Sequence, residues 1–405
     1  MLIASTEVYS IAVSIRGMIT AQAPRHLDMG GLGGIGDFVD PAEKVASKQK
    51  QISISEFFEK NKHFLGFDTL QRSLITAVKE AVDNSLDACE EARILPEIRV
   101  EIRRLKGDRL RLITQDNGPG IPREDIENVF GKFLLGSRFH AIRQTRGQQG
   151  IGITGVVMYS QLTAGSKTKV VSKISRDSSA VFVELGIDTR RNKATKSGEN
   201  RDIWIDGKTG EALSHGLRIE TEMRAKYQRG RQSVHQYLRM TSIVNPHASI
   251  SLVVQDRDGS TIEEEDWQRT TERLPRVVSE IRPHPHGMQL GSLQRMLKES
   301  EERKLTSFLR HNFSGVSMRA AREILAEAGL DEGRSPKRIS GDDAQEMIAA
   351  FKKVKLLSPP TDCLSPIEDL LIKKGLSKAI DSRFCLLYTS PSPRDLSTSR
   401  MPSSA

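Results

Sequence analysis

Glu80 and Asn84 stand four residues apart in the stretch QRSLITAVKEAVDNSLDACEEA, whose apolar spacing predicts a helix from about Leu70 to Arg93. Residues four apart on a helix sit over one another, so a carboxylate and a carboxamide share one side. A carboxylate so placed can polarise a water for attack on a phosphoryl group. An amide oxygen is a hard ligand suited to Mg2+. Some thirty residues on comes D-x-G-x-G, at Asp116, Gly118 and Gly120, and a similar interval later G-x-x-G-x-G, at Gly147, Gly150 and Gly152. An Asp at the edge of an apolar pocket can accept a hydrogen bond from an adenine amino group. Glycines let successive backbone N–H groups turn toward a polyphosphate, and a following helix adds the positive end of its dipole. Each motif alone is a common tight turn; their order and spacing together fit a nucleotide.

The elements that must hold these residues follow from the hydrophobic period. On the central helix, Leu74, Ile75, Val78, Ala81, Val82, Leu86 and Cys89 fall on one arc, with Glu80, Asn84 and Asp87 opposite. Ile98 to Leu105 and Leu110 to Thr114 alternate apolar and charged residues, which predicts a hairpin leading into Asp116. Helices are expected around Arg123 to Phe130 and Ile153 to Leu162, and strands at Lys169 to Ile174, Ala180 to Ile187, Arg201 to Ile205, Leu217 to Met223 and Ile250 to Gln255. Strands in runs, with helices interspersed, imply an α+β sandwich with a mixed, largely antiparallel sheet. Past Ile281 the pattern is helical: Gln289 to Glu302, Lys304 to Arg310, Met318 to Ala328 and Asp342 to Lys355.

These patterns divide the chain into a disordered leader at 1–50, an α+β domain at 51–280 and a helical domain at 281–357. A Pro-rich linker opening a further domain follows at 358–384, and the tail at 385–405 resembles translated adapter sequence. The 405 residues exceed what one core usually holds. A formal charge of +9 points to a polyanionic partner. Three widely separated cysteines lack a zinc or disulfide spacing, which fits a reducing, cytoplasmic setting. No stretch has the roughly 20 apolar residues of a membrane span. His284 and His286 lack companions for a metal site and read as structural.

The wording KEAVDNSLDACEEA, QDNGPGIP, FGKFLLGSRFH and RGQQGIGITGVVMYSQLT resembles the Bergerat-fold ATPases, and within them the B-type family of DNA topoisomerase VI, from about Ile52 to Phe384. The resemblance implies a Bergerat-type sandwich with helices on one face of the sheet, followed by a helix-two-turns-helix domain. It casts Glu80 as general base, Asn84 as Mg2+ ligand and Asp116, with Gly118 and Gly120, as the adenine site. Ser137 and Arg138 fall where the family touches nucleotide, and Gly147, Gln148, Gln149, Gly150, Ile151, Gly152, Ile153 and Thr154 match the phosphate-binding lid. Thr221 lies near the adenine-side threonine.

The implied cofactors are ATP and Mg2+. The implied partners are double-stranded DNA, the topoisomerase VI A-type chain in a heterotetramer of two A and two B, and a second copy of this B-type chain joined on ATP binding, with no membrane. ATP binding would gate passage of one duplex through a break made by the A-type chain. The segment Asn312 to Ser317 is read equally as a phosphate contact or a plain interhelical turn. The family continues into a transducer domain carrying a lysine to the γ-phosphate, so the chain is expected to be C-terminally truncated. Competing readings are a sensor histidine kinase, for which His63 lies in the wrong context, and an ATP-binding DNA clamp without turnover.

Overall fold

The computed structural model describes residues 53–133, 142–146, 150–189, 191–206, 210–365 and 367–379. Residues 53–61 are a unit by themselves. There Ser53 caps helix α1 (Ile54–Lys60) by accepting the Glu56 N–H, and Lys60 pairs with Glu56 one turn back.

In the larger unit, helix α2 (Leu70–Glu91) begins at Thr69, whose hydroxyl accepts the Arg72 N–H. Leu74, Val78, Val82 and Leu86 are at most 1% exposed. Each such side chain contributes roughly 1.5–3 kcal/mol by leaving water, so packing more than helix propensity fixes α2 in place. Asp87 is buried as well, unlike its expected place on the wet side, because an arginine far along the chain meets it.

One eight-stranded sheet lies beneath: β1 (Glu97–Arg104), β2 (Arg109–Asp116), β3 (Thr168–Lys173), β4 (Ala180–Asp188), β5 (Lys193–Asp202), β6 (Gly216–Arg224), β7 (Ser249–Gln255) and β8 (Thr261–Trp267), in the order β5-β4-β3-β6-β2-β1-β7-β8. Only the β1–β7 pairing is parallel, so the sheet is mixed and largely antiparallel. Alternation sorts its faces. Leu110, Leu112, Thr114 and Asp116 of β2 are buried on one side. On the other side Arg111 pairs with Glu220 and Glu222, and Glu101 lies between Arg99 and Arg103.

Helices α3 (Arg123–Gly131), α4 (Gly152–Ala164) and α5 (Val234–Val244) complete this layer. Tyr159 and Ser160 of α4 donate to the carbonyls of Arg224 and Glu222 on β6, which ties the helix to the sheet.

Two strands and two helices depart from expectation, the second of these helices lying at Asp369–Ala379. Of the strand expected at Arg201 to Ile205, only Arg201 and Asp202 lie in a strand, the end of β5, which begins at Lys193, and Ile205 makes an isolated bridge to Ala212. The polar, exposed β5 sequence KATKSGENRD pairs through backbone bonds to β4 and carries no alternation to read. The acidic β8 and the helix α5 have no counterpart among the expected elements either.

Beyond residue 281, α6 (Leu290–Glu299), α7 (Leu305–Asn312), α8 (Met318–Glu327) and α9 (Gly341–Lys353) enclose a separate apolar cluster around Phe308, Phe313 and Phe351. A further helix, α10 (Asp369–Ala379), follows. His284 Nε2 donates to the Leu357 carbonyl at 3.0 Å, a structural bond that ties the start of this region to its end.

Gly120 is fixed by its surroundings. Its φ is +70°, and a Cβ there would run into the Lys173 carbonyl. Gly107, in the β1–β2 turn, has φ +73° but open space around it. Gly107→Ala should therefore cost about 1–2 kcal/mol from backbone conformation alone, and Gly120→Ala about 3 kcal/mol or more, since the clash adds. Urea unfolding of the two variants checks this; equal costs would contradict the close approach.

Candidate active site

The hairpin delivers Asp116 to the end of β2, directly opposite Leu217 of β6. Asp116 is 6% exposed. Its Oδ2 accepts from Ser85 Oγ of α2 at 2.6 Å and its Oδ1 from the Gly118 N–H at 2.9 Å. Burial pushes its carboxyl above the usual aspartate range, against the pull of these bonds and of the Leu217 N–H. His215 Nδ1 donates to the Gly118 carbonyl at 2.9 Å, which pins the turn from the other side.

Glu80 is half-buried on α2 and Asn84, one turn later, is exposed. Burial raises the Glu80 carboxyl above the glutamate range; Lys79 opposes this and Asp83 adds to it. Asp83 is raised too, chiefly by burial, while accepting a 3.0 Å bond from the Tyr237 hydroxyl of α5.

Gly150 has φ +58°, and two residues later α4 begins at Gly152. A Cβ on Gly152 would run into the Glu80 carboxylate, so the first residue of α4 lies against Glu80. Among the described residues no side chain caps this helix start, which leaves its first N–H groups and dipole for an anion. Ile151 and Ile153 are partly buried. The Thr154 hydroxyl turns inward, donating to the Val129 carbonyl at the end of α3.

The structure thus places Glu80 against Gly152 with Asn84 one turn along α2, and sets Asp116 and Gly118 against the same helix at Ser85 and Cys89, whereas Gly120 lies against Lys173 of β3 and Gly216 of β6. Thr221 is buried on the same sheet face as Asp116 but pairs with Leu112, four residues along β6 from Asp116's partner; its hydroxyl meets Thr168 Oγ1 at 3.4 Å. The expected site residues Ser137, Arg138, Gly147, Gln148 and Gln149 lie outside the described residues.

Sequence reading missed Ser85, Leu217 and, most of all, Arg146. Its guanidinium bonds Asp87 at 2.8 Å, Glu90 at 2.8 and 3.0 Å and Asn245 at 2.6 Å, and its N–H reaches Asp87. His247 Nε2 donates to Glu90 at 2.9 Å. Arg146 adjoins Gly147 in the chain, so it fixes the foot of the glycine loop to α2. Adjacency to a glycine motif was the available signal.

Burial works to raise the Glu90 carboxyl, but the bonds from His247 and Arg146 outweigh it and hold it below the glutamate range. A lowered carboxylate adds stability above its ordinary pKa and loses it as pH falls through the lowered one. Arg146→Ala, leaving two carboxylates without their cation, should cost about 2–4 kcal/mol at neutral pH, at the lower end for buried pairs because Arg146 is partly exposed. The deficit should shrink in acid, as pH falls through the lowered pKa of Glu90 and its carboxyl protonates. Denaturation of parent and variant from pH 4 to 8 measures it; a pH-independent gap would contradict the ion pairing.

Comparison with known proteins places this geometry. Residues 69–189 match the histidine kinase-, DNA gyrase B- and HSP90-like ATPase family. The B subunit of type 2 DNA topoisomerase 6 from Methanococcoides burtonii is 50% identical over 353 residues, covering 87% of this chain and 55% of that protein. Its counterpart in Methanosarcina mazei is 51% identical over 338 residues, covering 83% and 52%. That of Archaeoglobus fulgidus is 45% identical over 346 residues, covering 85% and 55%. The chain spans about half the length of the curated relatives it matches. No helix among the described residues is long and apolar enough to cross a membrane. The chain is a homologue of the B subunits of type 2 DNA topoisomerase 6 and carries an ATP-binding domain of the histidine kinase, gyrase B and HSP90 kind.

Proposed function

We propose that this chain acts as the ATP-binding and hydrolysing B-type component of a type II DNA topoisomerase, gating ATP-dependent passage of one duplex through a double-strand break made by the A-type component. The observation that carries this is the Glu80 carboxylate against Gly152 at the uncapped start of α4, one helical turn from Asn84. Around it each residue has one task. Asp116 accepts from the adenine amino group, which a purely apolar pocket could not select. Gly147 to Gly152 and the first N–H groups of α4 hold the phosphates. Glu80 orients and deprotonates the attacking water, and its raised pKa brings its basicity nearer to neutral pH.

Asn84 fits the Mg2+ role as an exposed carboxamide one helical turn from Glu80; bound Mg2+ would neutralise charge between phosphates. Two copies joined on ATP binding would trap DNA, and release after hydrolysis would reset them. The helical region at 281–357 is read as the helix-two-turns-helix domain, where Arg303, Lys304, Arg310, Lys337 and Lys352 are exposed.

Glu80 and Asn84 should fail differently. In an intact version of this B-type chain, Glu80→Gln should keep affinity for a non-hydrolysable ATP analogue while turnover with the A-type chain and DNA falls roughly 10²-fold or more. Asn84→Ala should lose the Mg2+-dependent part of binding itself. Calorimetry beside a phosphate-release assay separates them, and matched losses of affinity in both would refute these roles.

Duplex DNA should bind with little sequence preference and with affinity falling steeply with salt, because phosphate contacts release counterions. Fluorescence anisotropy across a salt series reads this. A flat salt response would argue against the DNA partner.

A further inference from the structure

Three strands away from β2, at the edge of the sheet, β8 sets Glu263 and Glu265 opposite Val254 and Leu252 of β7 and turns both toward the start of α5. His235, second residue of α5, points its Nε2 at both: 3.8 Å from Glu263 Oε1 and 3.6 Å from Glu265 Oε1. The three ligand atoms lie within 4.8 Å of one another. Glu263 is not an ordinary surface acid, since its side chain is only 2% exposed. Its Oε2 accepts from the Tyr227 hydroxyl at 2.5 Å and from Arg229 Nε at 3.0 Å, whereas the buried Oε1 has no hydrogen-bond donor. The second guanidinium nitrogen of Arg229 lies 2.9 Å from that oxygen, out of line for a hydrogen bond.

We propose that His235, Glu263 and Glu265 form a binding site for a divalent first-row transition ion, Zn2+ above all. Bonds of about 2.0–2.2 Å from one tetrahedral ion put its ligand atoms roughly 3.3–3.6 Å apart, so the two histidine–carboxylate spacings need close by only a few tenths of an ångström, and the two carboxylates, within 4.8 Å of each other, close by rotation of the half-exposed Glu265 side chain. The imidazole selects Zn2+ over Mg2+, which prefers all-oxygen octahedral sites. Three protein ligands leave a fourth position for water. Arg229, 67% exposed, is the cation the metal displaces from Glu263, and it is free to turn into solvent. Metal here would staple the sheet edge to α5, the helix whose Tyr237 holds Asp83 beside Asn84. The site rests on none of the nucleotide assignments.

The test is calorimetric titration of the chelator-stripped full chain with ZnCl2, followed also by tryptophan fluorescence, since Trp267 meets the His235 ring at 5.5 Å. One ion per chain with a tryptophan signal is expected, unmatched by MgCl2. His235→Ala and Glu265→Gln should each weaken binding at least about 10-fold, while their circular dichroism shows that both remain folded. Arg229→Ala, which removes the competitor, should tighten it. His284→Ala, at the other histidine pair, should bind like the parent. Absence of saturable zinc binding, or His235→Ala binding as tightly as the parent, would overturn the site.

Discussion

The contact between the Glu80 carboxylate and Gly152 is the constraint around which the rest is arranged. Any side chain at position 152 would displace the Glu80 carboxylate from the helix start, and any slackness in α2 would carry it away as well. The apolar face of α2 removes that slackness: four aliphatic side chains at most 1% exposed, spaced at helical intervals, hold the helix against the sheet. The same burial raises Glu80, Asp83 and Asp116 above their ordinary pKa values. Packing that positions the acids also tunes them.

Beside the site, acids on α2 are answered individually: Asp83 by Tyr237, Asp87 and Glu90 by Arg146, and Glu90 again by His247. These partners come from α5, from the turn after it or from the foot of the glycine loop. Arg146 and α5 are therefore coupled to α2 through polar and charged contacts, whereas the sheet meets it through apolar contact and the Ser85–Asp116 bond. Ion pairs of this kind are directional and break discretely, while apolar packing tolerates small shifts. Motion of the glycine loop relative to α2 would be expressed first at Arg146.

Much of this was legible in the sequence where one element carries a complete local pattern. The α2 period, the β1–β2 alternation and the glycines opening α4 each predicted the observed element to within about two residues, the usual uncertainty of an element's ends. Legibility failed where the stabilising group is distant. Asp87 looks solvent-facing by periodicity and is buried because Arg146, 59 residues away, neutralises it. β5 and β8 are polar edge strands whose pairing rests on backbone bonds to β4 and β7, and polar residues leave no alternation to read. Of the residues proposed to hold nucleotide, Glu80 meets Gly152 because both belong to elements whose periods are complete. Thr221 stands four residues along its strand from the partner of Asp116, a register that spacing alone could not supply.

The most direct test of the central claim is a crystal structure of the chain with a non-hydrolysable ATP analogue and Mg2+. The account predicts the adenine amino group on Asp116, the phosphates on the N–H groups from Gly150 to the start of α4, the metal on the Asn84 amide oxygen and a water between Glu80 and the γ-phosphate. A nucleotide bound elsewhere, or in this cleft with its base at Gly152 and its phosphates at Asp116, would contradict it.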